Sequence, residues 1–507
     1  MMRGSTLLNT KNQILIQRLL VILSAVIFCA WALSPSNFFQ FDDYQWQWRT
    51  QTTYYVDLFN IIPYAPYNDR PVGIVFLKVL FGAFGVNNVL HHIVLLLVHI
   101  ASSLLFFWLL RVMLSDYLQH AGRESWKNNI PWVSAVFFAG WSTSTLRVVS
   151  WDAAIFDLLA APLVLLSALC YLKAQRKSSV QFLLSVGCIL FYALALRTKE
   201  MVIALPCMLA CISLWKHVWQ RRCLQRHAPF NMALLIALLA LMLIYVARIL
   251  WIKSANHDLA DPSNPYFIST SPITLLRNLC RYTAMYFNPF VNEYIASSPR
   301  DSFLFYAGWG WGGVALVTIS IKLFVRNASP LILVPVLFVL QVAPVLPMQN
   351  IQSRLYLHLP SMAWSLLTAG LLCWIVGKIK DLAESWRSLI AGSVAFLMLW
   401  IISANGVNPQ YRDFYMSVGR ENKKIYNSLS KLSRPPHGST VYLINLPVWM
   451  APYCLLAEGS GGGDALKCYY DDASISSKVL VISTNYQPDI SVKPKIIIDY
   501  QRLETSH

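Results

Sequence analysis

Residues 14–48 read ILIQRLLVILSAVIFCAWALSPSNFFQFDDYQWQW. The first twenty positions form an apolar run whose charge is confined to Arg18, and as a helix such a run reaches across ~30 Å of hydrocarbon. Two adjacent carboxylates, Asp42 and Asp43, follow it among aromatic side chains. The stretch sets two expectations: a chain that spans a membrane, and ionisable groups placed where a span ends. The run is too long for a removed leader and shows no small-residue cleavage site before the acids, so it reads as a retained anchor.

The rest of the chain agrees with the first expectation. Over 507 residues, 56% are hydrophobic and only 13% charged, which fits an α-helical polytopic membrane protein and not a soluble one of this size. The net charge of +17 does not point to nucleic acid, because the basic residues sit in short clusters between apolar runs. Apolar stretches lie at 14–33, 89–113, 131–149, 153–172, 180–196, 201–219, 230–252, 303–324, 330–348, 355–377 and 388–404, about eleven spans at the usual length. Residues 71–84 are apolar but short and carry Lys78, and they suit an interfacial helix.

Charge sets the expected orientation. With the N-terminus in the cytoplasm, the inner connections are short and hold Arg111, Lys127, Lys173, Lys216, Arg221 and Lys378, while the longer loops 34–88 and 253–302 and the tail from 405 fall outside. This predicts a multi-pass protein, such as one of a bacterial inner membrane facing the periplasm, with Asp42 and Asp43 on the outer face. The segment 272–294 reads as an amphipathic surface helix carrying Arg277 and Arg281.

The spans define a transmembrane domain over 1–404, and the tail 405–507 is different. Strand-like runs STVYLINL, KVLVIS and KPKIIIDY, a helix around 420–432 and the loop EGSGGGD predict a small extracytoplasmic α/β domain. The glycine run lacks the Lys-Ser/Thr ending of a phosphate-binding loop and reads as a flexible connection. Cys454 and Cys468 lie in this tail, where an oxidising compartment permits a disulfide. No CxxC pair or HxxxH spacing suggests a metal site.

A charged side chain at membrane depth is costly unless it is paired, hydrated or used. The expected outer ends of the spans hold four groups of such residues: Asp42 with Asp43; Arg147, Asp152 and Asp157; Arg197, Lys199 and Glu200; and Arg354. Mixed acids and bases suit a site that removes a proton and holds an anion. Each group alone is equally a set of loop charges among lipid headgroups. His92 and His99, seven apart, share a helix face and suit either a buried structural role or a hydrogen bond to a sugar hydroxyl.

In their order along the chain these motifs resemble the lipid-dependent glycosyltransferases of the GT-C class, especially the protein O-mannosyltransferase and transmembrane O-mannosyltransferase group. FDDY at 41–44 is similar to the acidic pair after that group's first span. YNDRPVGIVFLKVLFGAFGVNNVLHH supplies Tyr67, Arg70, Pro71 and His92, followed by His99. IFDLLAA places Asp157 at the acid that opens the fourth span, RTKEMVIALP supplies Thr198, Lys199, Glu200 and Pro206, and SRLYLHLP supplies Arg354, Tyr356 and Pro360. The chain departs from the pattern at Ile155, where a basic residue is usual, at Arg147, where an acid is usual, and in its tail, which is not a repeat array.

The resemblance implies transfer of a hexose or pentose, with inversion, from a polyprenyl phosphate carrier to a hydroxyl of a protein, lipid or surface glycan. Asp42 is then the expected base and Asp43 its partner. Lys199, Arg354, Arg147 and Arg70 are the expected contacts to the donor phosphate. Asp157, Glu200, His92, Tyr44 and Tyr356 are the expected lining of the sugar and acceptor pocket. No cofactor is implied beyond the lipid-linked sugar, and the implied partners are that donor, its acceptor and membrane lipid. Two other classes use similar residues: an O-antigen polymerase or ligase, which favours a large outer loop rich in Arg and His, and a flippase, which favours inverted repeats and mid-membrane charges.

Overall fold

The computed structural model describes residues 3–58, 70–120, 125–140, 143–175, 179–223, 231–255, 267–287, 313, 330–350, 353–379, 384–405, 407–447, 449–451, 454–456, 463–481 and 495–500. Tyr67, the expected span 303–324 apart from residue 313, and most of the glycine-rich loop fall outside these residues.

The described chain is mostly helical and compatible with a membrane protein. Five helical segments are long and apolar enough to cross a bilayer: Asn12–Leu33, Asn88–Gln119, Asp152–Ala174, Glu200–Arg221 and Met232–Ile252. They match five of the expected spans. Three other expected spans appear as shorter apolar helices, Gln181–Leu196, Pro330–Val345 and Ser361–Gly377, and a fourth lies in the helix Glu384–Asn405, whose apolar stretch is Trp386–Trp400. At 1.5 Å per residue the three shorter helices cover only ~24–26 Å, a little less than the hydrocarbon core. Within the expected span 131–149 the described residues form helices at Ile130–Gly140 and Thr143–Ser150. Gly140 meets the ring of Phe28 so closely that a Cβ there would lie 2.7 Å from it.

The chain divides into two compact units. One, here the span-bearing unit, comprises Met1–Cys29, Leu96–Val148 and Phe156–Pro409. Its core is built from the fully buried Ile130–Gly140 helix, which packs on the first helix, on Ser361–Gly377 and on Glu384–Asn405. Trp364 lies at the centre, stacked on Tyr286 at 5.5 Å.

The sheet-bearing unit comprises Ala30–Leu95, Val149–Ile155 and Gln410–His507. Three of the expected strand runs form a parallel sheet of order β2-β1-β3, with β1 at Thr440–Leu446, β2 at Ser476–Val481 and β3 at Lys495–Asp499. The helix expected near 420–432 is longer, Val407–Leu429. It approaches the 34–39 segment closely enough that only glycine fits at 419, since a Cβ there would lie 2.2 Å from the Ser36 carbonyl oxygen. Three residues on, the Asn422 amide donates to the Phe39 carbonyl at 3.2 Å and accepts from the Leu455 N–H at 3.0 Å. This helix therefore fixes the backbone that leads into the acid pair. Cys454 and Cys468 are engaged separately: Cys454 sulfur accepts from Leu456 N–H, and Cys468 lies 3.8 Å from the Tyr44 carbonyl.

Candidate functional site

Asp42 and Asp43 open the helix Phe41–Thr52, where carboxylates complement the exposed N–H groups of the first turn. Asp43 reaches back one turn and accepts the Gln40 N–H at 2.8 Å, the backbone half of a capping box. Its other oxygen accepts the Ala153 N–H, also at 2.8 Å. Both oxygens of the buried Asp43 thus hold backbone, tying the start of this helix to the turn at 149–155 within the same unit. Asp42 is half-buried.

Beside Asp43 lies Asp152, 1% exposed, which bridges two histidines. One oxygen pairs with His91 Nδ1, and the other lies 3.6 Å from His92 Nε2. The other ring nitrogen of His91 meets the Gly85 carbonyl at 3.0 Å. His92 Nδ1 faces the Asn37 amide at 3.3 Å, and the same amide donates to the Ala32 and Ser150 carbonyls at 3.1 and 3.0 Å. Burial, and then the neighbouring Asp152, push the Asp43 carboxyl well above the ordinary carboxylate range, against the pull of its two N–H donors.

Tyr44 is 1% exposed, and its ring packs edge-on to Phe39 and stacks on Tyr426 at 5.9 Å. Arg70 caps the helix Pro71–Phe84 and is half-buried. Sequence reading singled out His92 but passed over His91. The signal was the doublet HH one helical turn after the start of a span: adjacent positions project ~100° apart, so both meet one acid only when that acid sits between them.

The span-bearing unit holds the second group. Lys199 Nζ lies 3.0 Å from Asp157 and 4.0 Å from Glu200, and sits 5.4 Å above the ring of Tyr356. Lys199 and Asp157 are both almost fully buried. The local sequence explains the placement: the helix Gln181–Leu196 ends at Leu196, and Lys199 stands in extended conformation before the short turn Glu200–Ala204 opens the next helix. The break turns the ammonium inward, between Thr198 and Glu200 of the junction. Tyr356 shares the turn Arg354–Leu357 with Arg354, itself 3% exposed and donating to the Met285 carbonyl at 3.3 Å. Arg147 joins the same group through the Ser353 hydroxyl at 3.3 Å.

Sequence positions far apart thus converge twice. Asp42, Asp43 and His92 share one unit with Asp152, His91, Tyr44 and Arg70. Asp157, Lys199, Glu200, Tyr356, Arg354 and Arg147 share the other. In the second group Lys199, Arg354 and Asp157 are buried, and Arg147 and Glu200 are half-buried.

No protein-family model matches this chain, and neither a curated protein nor a solved structure matches it. The resemblance to the GT-C glycosyltransferases therefore rests on the motifs alone.

Proposed function

We propose that the chain is a membrane glycosyltransferase that moves a sugar from a polyprenyl phosphate carrier to an acceptor hydroxyl on the outer face of the membrane. The observation that carries this reading is the gathering of Lys199, Arg354 and Arg147 within one unit, with Lys199 and Arg354 buried and Lys199 over the ring of Tyr356, which shares a turn with Arg354. Cations at membrane depth are costly unless paired, hydrated or used, and a sugar phosphate anchored by a hydrocarbon tail brings an anion to a membrane.

The reaction transfers one proton and exchanges one bond. A carboxylate takes the acceptor's hydroxyl proton while the acceptor oxygen bonds to the anomeric carbon. The bond from that carbon to the phosphate oxygen breaks, and polyprenyl phosphate leaves; one displacement inverts the configuration. Asp42 is the proposed base. Asp43 has both oxygens committed to backbone N–H groups and serves to position it. Arg354, Lys199 and Arg147 hold the phosphate as its charge grows, which lowers the barrier more than it tightens binding. Asp157 and Glu200 orient Lys199. In this reading the N-terminus is cytoplasmic and the sheet with its flanking helices forms the small extracytoplasmic α/β portion.

The test is release of polyprenyl phosphate from a short-chain polyprenyl phosphate sugar by the purified protein, with mass spectrometry of lipid-linked glycans, surface polysaccharide and secreted proteins from cells with and without it. Arg354→Lys keeps the charge but loses the planar fork that grips two phosphate oxygens. Turnover is expected to fall about 10²–10³-fold, the usual loss for one donor to a developing anion. A variant that turns over within a few-fold of the parent shows that the phosphate is held elsewhere.

A further inference from the structure

Two histidines from distant parts of the span-bearing unit meet beside the Arg354 turn, and the reaction proposed above uses neither. His99, on the helix Asn88–His120, and His358, which closes the turn Arg354–Leu357, are 0% and 1% exposed. Their ring centroids lie 5.8 Å apart, and both rings pack against Phe138, at 5.5 and 5.3 Å. The His358 N–H donates to the Leu355 carbonyl, and the His358 carbonyl accepts the Ser361 hydroxyl at 2.6 Å, so the turn fixes where this side chain begins.

Hydrogen bonding determines what each ring offers. His99 Nε2 meets the Ala139 carbonyl at 3.1 Å. A carbonyl only accepts, so that nitrogen carries the proton and Nδ1 of the neutral ring is left as a lone pair. Among the described residues this Nδ1 is buried without a hydrogen-bond partner, and so are both nitrogens of His358. Leaving such groups unpaired in the interior is costly. A histidine that gives its N–H to a backbone carbonyl and keeps the other nitrogen bare is arranged as metal-ligating histidines are, with the tautomer set by the outer partner. The separation agrees. A ring nitrogen stands ~1 Å from the ring centre and a metal–imidazole bond is ~2 Å, so one ion between two facing imidazoles sets the centres ~6 Å apart. A direct hydrogen bond between the rings would bring them to ~5 Å.

We infer that His99 and His358 bind one copper(I) ion in line between them, and that the ion pins the Arg354 turn to the helix Asn88–His120. Three features select this ion. Among the described residues no third His, Cys, Asp or Glu joins the pair in a metal-binding group, whereas structural zinc takes four ligands and calcium and magnesium need shells of oxygen. Both ligands are neutral and buried, and the desolvation cost of an ion grows as the square of its charge, which favours a singly charged one. Imidazole nitrogen suits copper, and the singly charged form is soft and content with two ligands. The site needs nothing from the sugar-transfer reading. Its two ligands stand 259 residues apart in the chain, so no local spacing announces it.

The test loads the full-length protein in nanodiscs with copper(I) under argon and passes it over a copper(I) chelator. Elemental mass spectrometry then reads metal per chain, and X-ray absorption reads the ligand shell. The parent is expected to keep about one copper(I) and no zinc, to show a first shell of two nitrogens, and to melt higher with copper than without it. His99→Gln and His358→Gln should each lose about tenfold or more in retention, and with it the copper-dependent rise in melting temperature. His358→Met returns a soft ligand and should restore copper(I) binding. Cys29→Ser serves as control, because the Cys29 thiol meets the Ala139 carbonyl at 4.0 Å, where His99 places its proton and not its lone pair; this variant should keep its copper. Should a Gln variant misfold, the ligand shell of the parent and the retention of His358→Met decide. Equal retention in the parent and both Gln variants overturns the inference. So does zinc in place of copper, loss of copper in Cys29→Ser, or a parent that keeps no metal and leaves the two rings to water.

Discussion

Lys199 and Asp157 form a buried ion pair at 3.0 Å, and the half-buried Glu200 lies 4.0 Å from the same ammonium. Around Asp43 the arrangement differs: Asp42, Asp43 and Asp152 gather with His91 and His92, and the carboxylates are held mainly by backbone N–H groups and imidazoles. Ion pairing compensates the first group, whereas backbone capping and imidazole contacts compensate the second. A group held by ion pairs changes its net charge when one partner is removed, and it suits the gripping of an anion. A group held by backbone donors keeps its geometry while protons move, and it suits acid–base work.

The comparison breaks most completely at Asp42. Asp42→Asn keeps the size of the side chain but cannot accept a proton at useful strength, so turnover should fall by about 10²–10⁴-fold while thermal unfolding is unchanged. Turnover within a few-fold of the parent in the short-chain donor assay makes the acidic group structural, and the base must then be sought in the other unit.

Asp157 tests the ion-pair half. Asp157→Asn leaves Lys199 buried without its nearest counter-charge and should destabilise the protein by about 3–5 kcal/mol. Replacing both residues by apolar ones of similar volume, Asp157→Leu with Lys199→Met, should recover most of that loss. Turnover should not recover with it, because the ammonium is gone. If thermal unfolding and turnover return together in the double variant, Lys199 is a structural counter-ion and the anion site reduces to the two arginines.

Asp43 sharpens the other half. The resemblance alone makes Asp43→Asn the milder change of the pair. The structure revises that expectation, because an amide must turn its NH₂ toward either Gln40 N–H or Ala153 N–H, losing one bond and setting donor against donor. The expected cost is about 1–3 kcal/mol in stability, read as a lower melting temperature, with lost turnover recovered in part on cooling. Asp42→Asn is not rescued in this way.

These residues also show what the sequence displayed and what it hid. The long apolar runs announce themselves because the helical rise and the bilayer thickness fix their length, and the three strand runs of the tail because β-branched residues cluster between turn residues. The close approach of Phe28 to Gly140 was hidden, since that ring comes from more than a hundred residues earlier. Lys199, Glu200 and Arg354 were legible as charges at the ends of apolar runs. The engagement of Asp43 was not, because Ala153 offers only a backbone N–H and no side-chain pattern marks it. His91 was hidden for a related reason: its partner Asp152 is reached through the fold and not along the helix.

The smallest effect sets Asp43 against a half-buried acid of the same unit. Asp472, in the turn before β2, accepts the hydroxyl of Ser474 at 2.6 Å and its N–H at 2.9 Å, and faces His437 at 3.3 Å. Those hydrogen bonds, led by the Ser474 hydroxyl, hold its carboxyl below the usual range, where burial and Asp152 drive Asp43 the other way. The two acids therefore respond to pH with opposite signs. What Asp472 contributes is present above the carboxylate's unfolded value and disappears as pH falls through its lowered folded value. What the raised Asp43 contributes is full below the unfolded value and is lost as pH climbs through the folded one. Hydrogen exchange at the Ser474 and Ala153 amides reads each locally. Acidification below the carboxylate range should open the Ser474 turn faster in the parent than in Asp472→Asn, once both are corrected for the intrinsic pH dependence of exchange. Raising the pH above that range should loosen the Ala153 amide instead. If both amides lose protection on the same side of the carboxylate range, burial is not what separates the two acids, and the contrast drawn from Asp43 fails with it.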